Sequence, residues 1–137
     1  MKLAAIIVCF SLFFLIGCQS TQTTITQQLT PHTFQLMSVD QHTLANPTLT
    51  LRFSEGMRVN GFAGCNQFFG QGIISDDGFR VEQLGMTRKS CPTEINELEQ
   101  LFFSMLSHTS TLKLNQDTLM LNGDNQLKFI KVTTHTE

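Results

Sequence analysis

A chain of 137 residues with a formal net charge of −2 and 15% charged side chains shows no basic stripe, which argues against nucleic acid as a partner. Its length leaves room for one hydrophobic core and not for two. With four cysteines and four histidines, the set of candidate nucleophiles and soft metal ligands is small enough to take one by one.

Lys2 precedes an apolar run from Leu3 to Ile16, broken only by Ser11. The run is shorter than the about 20 residues a membrane-spanning helix needs, and it suits the core of a secretory signal peptide. Leu15-Ile16-Gly17-Cys18 resembles the bacterial lipoprotein cleavage box, so residues 1–17 read as a signal peptide and Cys18 as the lipidated first residue of the mature protein. An ordinary signal peptide cut nearby is the alternative. A single acyl chain anchors only marginally, whereas a multiply acylated Cys18 would hold the protein on a membrane. Gln19 after the cysteine, by resemblance to Gram-negative lipoproteins, favours delivery to the outer membrane, facing the periplasm. From Gln19 to Thr30 the composition is nearly all Gln, Thr and Ser, and residues 18–30 read as lipid site plus flexible tether, reaching on the order of 20 Å from the bilayer.

The folded domain is expected over 31–137. Phe34–Val39 reads as a first strand, and Asn46-Pro47 as a turn. Thr48–Phe53 alternates so that Leu49, Leu51 and Phe53 share a buried face. Ser54-Glu55-Gly56 connects this strand tightly to Met57–Asn60. Next come Gly61, Gly64, Gly70 and Gly72 among Phe62, Phe68 and Phe69, a pattern of bends that curl a sheet, with phenyl rings covering the space the glycines leave. Ile73-Ile74 ends a strand, Ser75–Gly78 turns, and Phe79–Glu82 returns as the second hairpin.

After Cys91 the period changes. Ile95, Leu98, Leu101, Phe102, Met105 and Leu106 describe an amphipathic helix from Pro92 or Thr93 to Ser107, with Thr93 a candidate N-cap and Glu94 and Glu97 near the positive end of the helix dipole. Glu94, Glu97 and Glu99 read as a solvated acidic face. Three strands follow, Thr111–Leu114, Thr118–Leu121 and Gln126–Val132, with turns rich in Asn, Asp and Gly. The tail from Thr133 reads as frayed. The fold class is therefore α+β: a curved antiparallel sheet or half-open barrel of about eight short strands packed on a single helix.

Cys9 lies in the apolar leader, which leaves Cys65 and Cys91 in the domain. In an exported protein such a pair reads first as a disulfide, with two buried free thiols as the alternative. On the chain-entropy argument that bond would contribute roughly 3.5 kcal/mol. A cysteine nucleophile needs a basic partner, and His32, His42, His108 and His135 all stand apart from both cysteines in sequence. No close Cys or His pair marks a metal site, and the glycine run lacks the Gly-Lys-Ser/Thr ending of a phosphate loop. No cofactor is expected.

Gly64-Cys65-Asn66, followed by Phe68, Phe69 and Gly70, and then Met86-Thr87-Arg88 leading to Cys91 and an acidic helix, resemble the META/HslJ-like domain family of small bacterial heat-shock lipoproteins. The likeness runs from about Phe34 to Val132. Many members carry a small or apolar residue between Arg and Cys, where this chain has Lys89-Ser90. The family implies a mainly antiparallel β domain with one helix, an envelope location and a stress-related role.

Within the two motifs, Asn66 is expected to satisfy backbone groups in a turn, the Thr87 hydroxyl to cap a strand end, and Arg88 to pair with an acid such as Glu94. The competing reading makes Arg88 and Lys89 an exposed cationic spot for an anionic envelope partner. The leading expectation is a non-enzymatic, lipid-anchored envelope protein that binds an envelope client or component under heat or antibiotic stress. The alternative is a carrier or pilot-type lipoprotein for a small apolar lipid, and an enzyme survives only if one cysteine is free and reactive.

Overall fold

Alternation of apolar and polar residues sends every second side chain to one face of a strand, and in this chain those faces meet around one core. The computed structural model describes residues 23–133. In chain order the elements are α1 (Ile25–Leu29), β1 (Thr33–Val39), β2 (His42–Thr43), β3 (Thr50–Phe53), a 3-10 turn (Glu55–Met57), β4 (Arg58–Phe62), β5 (Gln67–Ser75), β6 (Gly78–Met86), α2 (Thr93–Ser107), β7 (Thr111–Asn115), β8 (Thr118–Asn122) and β9 (Gln126–Lys131). The sheet runs β6-β5-β4-β3-β1-β9-β8-β7 with antiparallel neighbours, and the short β2 folds back onto β1.

The sheet curls into a half-barrel whose two ends touch at one pair. Phe79 in β6 and Ser110, just ahead of β7, exchange backbone hydrogen bonds of 2.8 Å each. Curvature needs places where backbones can crowd. At Gly61 a Cβ would run into the carbonyl of Thr50 on β3, so only glycine permits that approach. Between the pairs Phe69–Gly85 and Gln71–Glu82 the strand β6 carries one residue more than β5, a bulge where Gln83 takes φ 52°, which increases local twist.

The concave face is filled by α2. Phe102 lies 5.2 Å from Phe68 of β5 and 6.4 Å from Phe129 of β9, centroid to centroid, so one ring spans opposite walls. Phe68 also meets Phe103 edge-on at 5.7 Å, a geometry worth about 0.5–1.5 kcal/mol beyond burial. Phe34, Leu36, Leu51, Phe53, Phe79, Leu119 and Leu127 complete a core closed to solvent.

Three expectations change. Residues 25–30 of the supposed tether are ordered: Ile25–Leu29 form α1, and Leu29 is wholly buried. Thr24 and Gln27 make a reciprocal capping box, and Ile25 and Leu29, four apart, fall on one face, so a polar segment holds a helical turn. The domain thus begins before Pro31. The strand expected from Thr48 starts at Thr50, although Leu49 is buried. The N-cap of α2 is Pro92, not Thr93: Ile95 N and Asn96 N both donate to the Pro92 carbonyl, at 3.1 and 3.0 Å, and no side chain caps the end. The signal segment, Cys18 and residues 134–137 lie outside the described residues.

Asp40 and Gln41 connect β1 to β2 with φ of 47° and 68°, a left-handed pair suited to a two-residue hairpin. Asp40 also ties this turn to β9. Its Oδ1 accepts from Gln126 N and its Oδ2 from Asn125 Nδ2, each at 2.7 Å. The Gln126 backbone N–H first, and the Asn125 amide second, hold the Asp40 carboxyl below its ordinary value. A carboxylate with a lowered folded-state pKa stabilises the fold above its unfolded value, and that stability is lost as pH falls through the folded one. Asp40→Asn places an N–H2 where a second acceptor stood. The variant is therefore expected to melt below the parent at neutral pH, with the gap closing in acid; a gap that stays constant across the acid range in thermal melts would refute the assignment.

Candidate functional site

The turn from β4 to β5 is built so that Asn66 points inward. Ala63 N donates to the Asn66 carbonyl at 2.8 Å, closing the turn, and Gly64 sits at φ 104°, a conformation that excludes an ordinary side chain. A Cβ on Gly64 would also press on Ile95 of α2 at 3.3 Å. The consequence is a polar residue only 4% exposed in an apolar setting, which must be fully hydrogen-bonded to be tolerated.

Asn66 meets that requirement by joining three segments. Its backbone N donates to Glu99 Oε2 at 2.9 Å and its Nδ2 to Glu99 Oε1 at 2.6 Å, which engages both carboxylate oxygens of a residue on α2. Its Oδ1 accepts from the Thr87 hydroxyl at 2.9 Å and from Lys89 N at 2.7 Å, which pins the segment after β6. Thr87 Oγ1 accepts in turn from Gln67 N at 3.0 Å, and Thr87 N donates to the Gln67 carbonyl at 3.0 Å. No buried side-chain nitrogen or oxygen among the described residues is left without a partner.

The Cys65–Cys91 disulfide braces the same joint, with Cα atoms 6.3 Å apart, inside the usual range for such bonds. Asn96 Nδ2 donates to the Cys91 carbonyl at 2.9 Å, so the start of α2 holds the residue that the disulfide ties to the turn. The motif residues Gly64, Cys65, Asn66 and Thr87 are thus brought together as one structural connection among the β4–β5 turn, the strand β6 and the helix.

Arg88, Lys89 and Met86 are not drawn into it. Their side chains are exposed, and Arg88 makes no ion pair with Glu94: the ion pairs among the described residues are Arg80–Glu82 and Lys131–Asp117. Glu99 was expected on a solvated face with Glu94 and Glu97; those two are exposed, but Glu99 is only 7% exposed and is the counterpart of Asn66. Its position could have revealed this. Glu99 stands four residues after Ile95 and three before Phe102, inside the apolar stripe, where a charge needs a dedicated partner.

The arrangement offers hydrogen-bonding rigidity rather than a poised reacting group. Both Glu99 oxygens are occupied, and both domain cysteines are bonded to each other. His108 Nδ1 lies 2.8 Å from the Ser104 carbonyl at the end of α2. Among the described residues no three His, Cys, Asp or Glu side chains gather as a metal site.

Residues 27–134 match the family model of the META domain. The chain is 32% identical over 127 residues to Heat shock protein HslJ of Escherichia coli (strain K12), covering 88% of this chain and 89% of that protein. Two NMR structures share the fold. One, 29% identical, superposes with a TM-score of 0.67 over 79% of this chain and 95% of the other. The second, of a protein from Burkholderia xenovorans, is 25% identical with a TM-score of 0.64 over 79% of this chain and 86% of the other. A shared half-barrel, and a joint built from Gly64, Cys65, Asn66 and Thr87 of the segments that carried the resemblance, agree with that match: the chain belongs to the META domain family.

Proposed function

We propose that this is a heat-shock-related, non-enzymatic protein of the bacterial envelope, anchored through lipid on Cys18 at the periplasmic face of the outer membrane, which binds an envelope client or component. The stress link is supported by the similarity to Heat shock protein HslJ, and the anchor by Leu15-Ile16-Gly17-Cys18. The observation that carries the binding role is the division of labour within the motifs. Asn66, Thr87, Cys65 and Cys91 are consumed in holding the joint, while Arg88 and Lys89 beside them stay exposed and without an ion pair among the described residues. A lipid carrier has less support, since Phe102, Leu106, Phe129 and Phe53 already occupy the interior.

Arg88→Ala with Lys89→Ala tests the binding role. Surface charges without partners contribute about 0–1 kcal/mol at most, and the Lys89 backbone bond to Asn66 survives the change. The double variant is expected to melt with the parent yet lose protection of cells under heat or antibiotic stress. Normal protection would remove these residues from the function. For the anchor, Cys18→Ser is expected to release the protein from the outer-membrane fraction.

A further inference from the structure

Phe68 and Phe69 are adjacent on β5, so one of the two must face outward. Phe68 is buried at 2% exposure, and Phe69 is 64% exposed, the most open large apolar side chain among the described residues. Its ring lies over Gly85 of β6, where an added Cβ would collide with the ring atoms. The glycine thus provides a flat seat that covers part of the ring and leaves the rest to solvent.

Cross-strand register shows what surrounds it. Arg52, Asn60, Phe69 and Gly85 are successive partners across β3, β4, β5 and β6, so they form one row on the convex face. In the next row Arg58 pairs with Gln71 and Gln71 with Glu82. Between the rows runs an open groove of about 340 Å³ lined by Ser54, Arg58, Val59, Asn60, Phe69 and Gly70. That is at the small end of ligand clefts, which run about 300–1,000 Å³.

The one charged side chain in the groove lining is Arg58, with Arg52 in the row beside it. Glu82 is engaged by Arg80, with Nη2 to Oε1 at 2.6 Å. Glu55, which is exposed and does not line the groove, has no ion pair among the described residues, and neither Arg52 nor Arg58 has one. A guanidinium without a counter-ion is a planar fork for a carboxylate. Asn60 and Ser54, which line the groove with Phe69, supply donors and acceptors for hydroxyl groups, and the electron-rich face of Phe69 attracts the polarised C–H bonds of a sugar ring. A lipid surface would call for several protruding apolar residues together, and Phe69 is the one large apolar side chain in its row, with Asn60 on one side and Gly85 on the other.

From this we infer that the convex groove at Phe69 and Arg58 is a binding site for an acidic glycan, a strand of sugar rings bearing carboxylate groups. The assignment rests on the envelope-binding reading and supplies the chemistry of its partner. The sugar ring stacks on Phe69, its hydroxyls bond to Asn60 and Ser54, and its carboxylate pairs with Arg58, with Arg52 adding charge beyond Asn60.

The test uses the full chain in neutral detergent, titrated with peptidoglycan glycan fragments cut by muramidase and stripped of their peptides by an amidase, so that the sugar rings carry free carboxylates, and followed by calorimetry and amide chemical shifts. The parent is expected to bind, with shifts concentrated on β4 and β5. Arg58→Gln and Phe69→Ala should each weaken binding by at least about tenfold. Phe69→Ala uncovers Gly85, so Arg58→Gln, at an exposed position, serves as the variant whose melt must match the parent. Neutral N-acetylglucosamine oligomers should bind at least about tenfold more weakly than the acidic fragments. Absent binding, or binding indifferent to both variants, overturns the site, as does equal affinity for neutral and acidic sugars. Binding lost only in Arg88→Ala with Lys89→Ala overturns the groove while leaving the envelope-binding reading intact; release of the parent from the outer-membrane fraction would instead overturn that reading's anchor.

Discussion

Asn66→Ala is expected to lower the unfolding free energy by about 2–4 kcal/mol, because it strips a buried carboxylate of one partner and leaves two further groups unpaired. In the parent, Asn66 Nδ2 donates to Glu99 Oε1 while its Oδ1 accepts from Thr87 and Lys89. Truncation removes all three bonds at once, and only the backbone bond from Asn66 N to Glu99 Oε2 remains. Glu99 is too buried to be rescued fully by solvent. Denaturant unfolding of Asn66→Ala, Glu99→Ala and the double variant gives the coupling directly. The two single losses should exceed the double loss by at least about 1 kcal/mol, since the second substitution removes the charge that the first left stranded. A single-variant loss under about 0.5 kcal/mol would mean that the joint is not held by this pair.

Replacing Cys65 and Cys91 together by serine is expected to cost roughly 3.5 kcal/mol, the entropy of the loop that the bond closes around the β5–β6 hairpin. For a small domain that is a large share of a total stability of about 5–15 kcal/mol. The loss should appear as a lower denaturation midpoint and as faster amide exchange in the segment from Arg88 to Cys91, which would then be held through the bonds of Asn66 and of Thr87 to Gln67. The disulfide and the Asn66 network restrain the same two segments, so their removal should not be additive. The native protein, taken without reductant, should resist alkylation at both cysteines until reduced. Rapid alkylation of either one at neutral pH would show that the joint holds free thiols, and the stability argument would fall with it.

The two results would also separate holding from binding. Variants of Asn66, Glu99 and the cysteines lose function only as far as they lose the fold, whereas Arg88, Lys89, Arg58 and Phe69 lie outside the core and can alter binding without altering the melt.

Most of the architecture was legible before any coordinates. Leu49, Leu51 and Phe53 alternate and are buried, and the stripe from Ile95 to Leu106 marks α2 and its end at Ser107. The closing three strands and their turns appear where alternation and Asn-, Asp- and Gly-rich segments put them. These patterns are readable because burial within one strand or helix repeats with the period of that element, so neighbours in sequence report on one another. The helix α1 escaped because its polar composition resembles a linker, and its single fully buried side chain, Leu29, has meaning only once a core exists to receive it.

The sequence by itself determined the α+β class with a curved antiparallel sheet, the presence of one main helix ending at Ser107, and that Cys65 and Cys91 are the cysteines of the domain; the structure decided that they are bonded to each other. Tertiary structure alone decided that the ends of the sheet meet at Phe79 and Ser110, that Glu99 turns inward to Asn66, and that Phe69 stands beside Arg58 and Asn60 on the convex face. Those outcomes join residues far apart in the chain. They depend on strand register and on the angle at which α2 enters the concave face, quantities that no local period encodes.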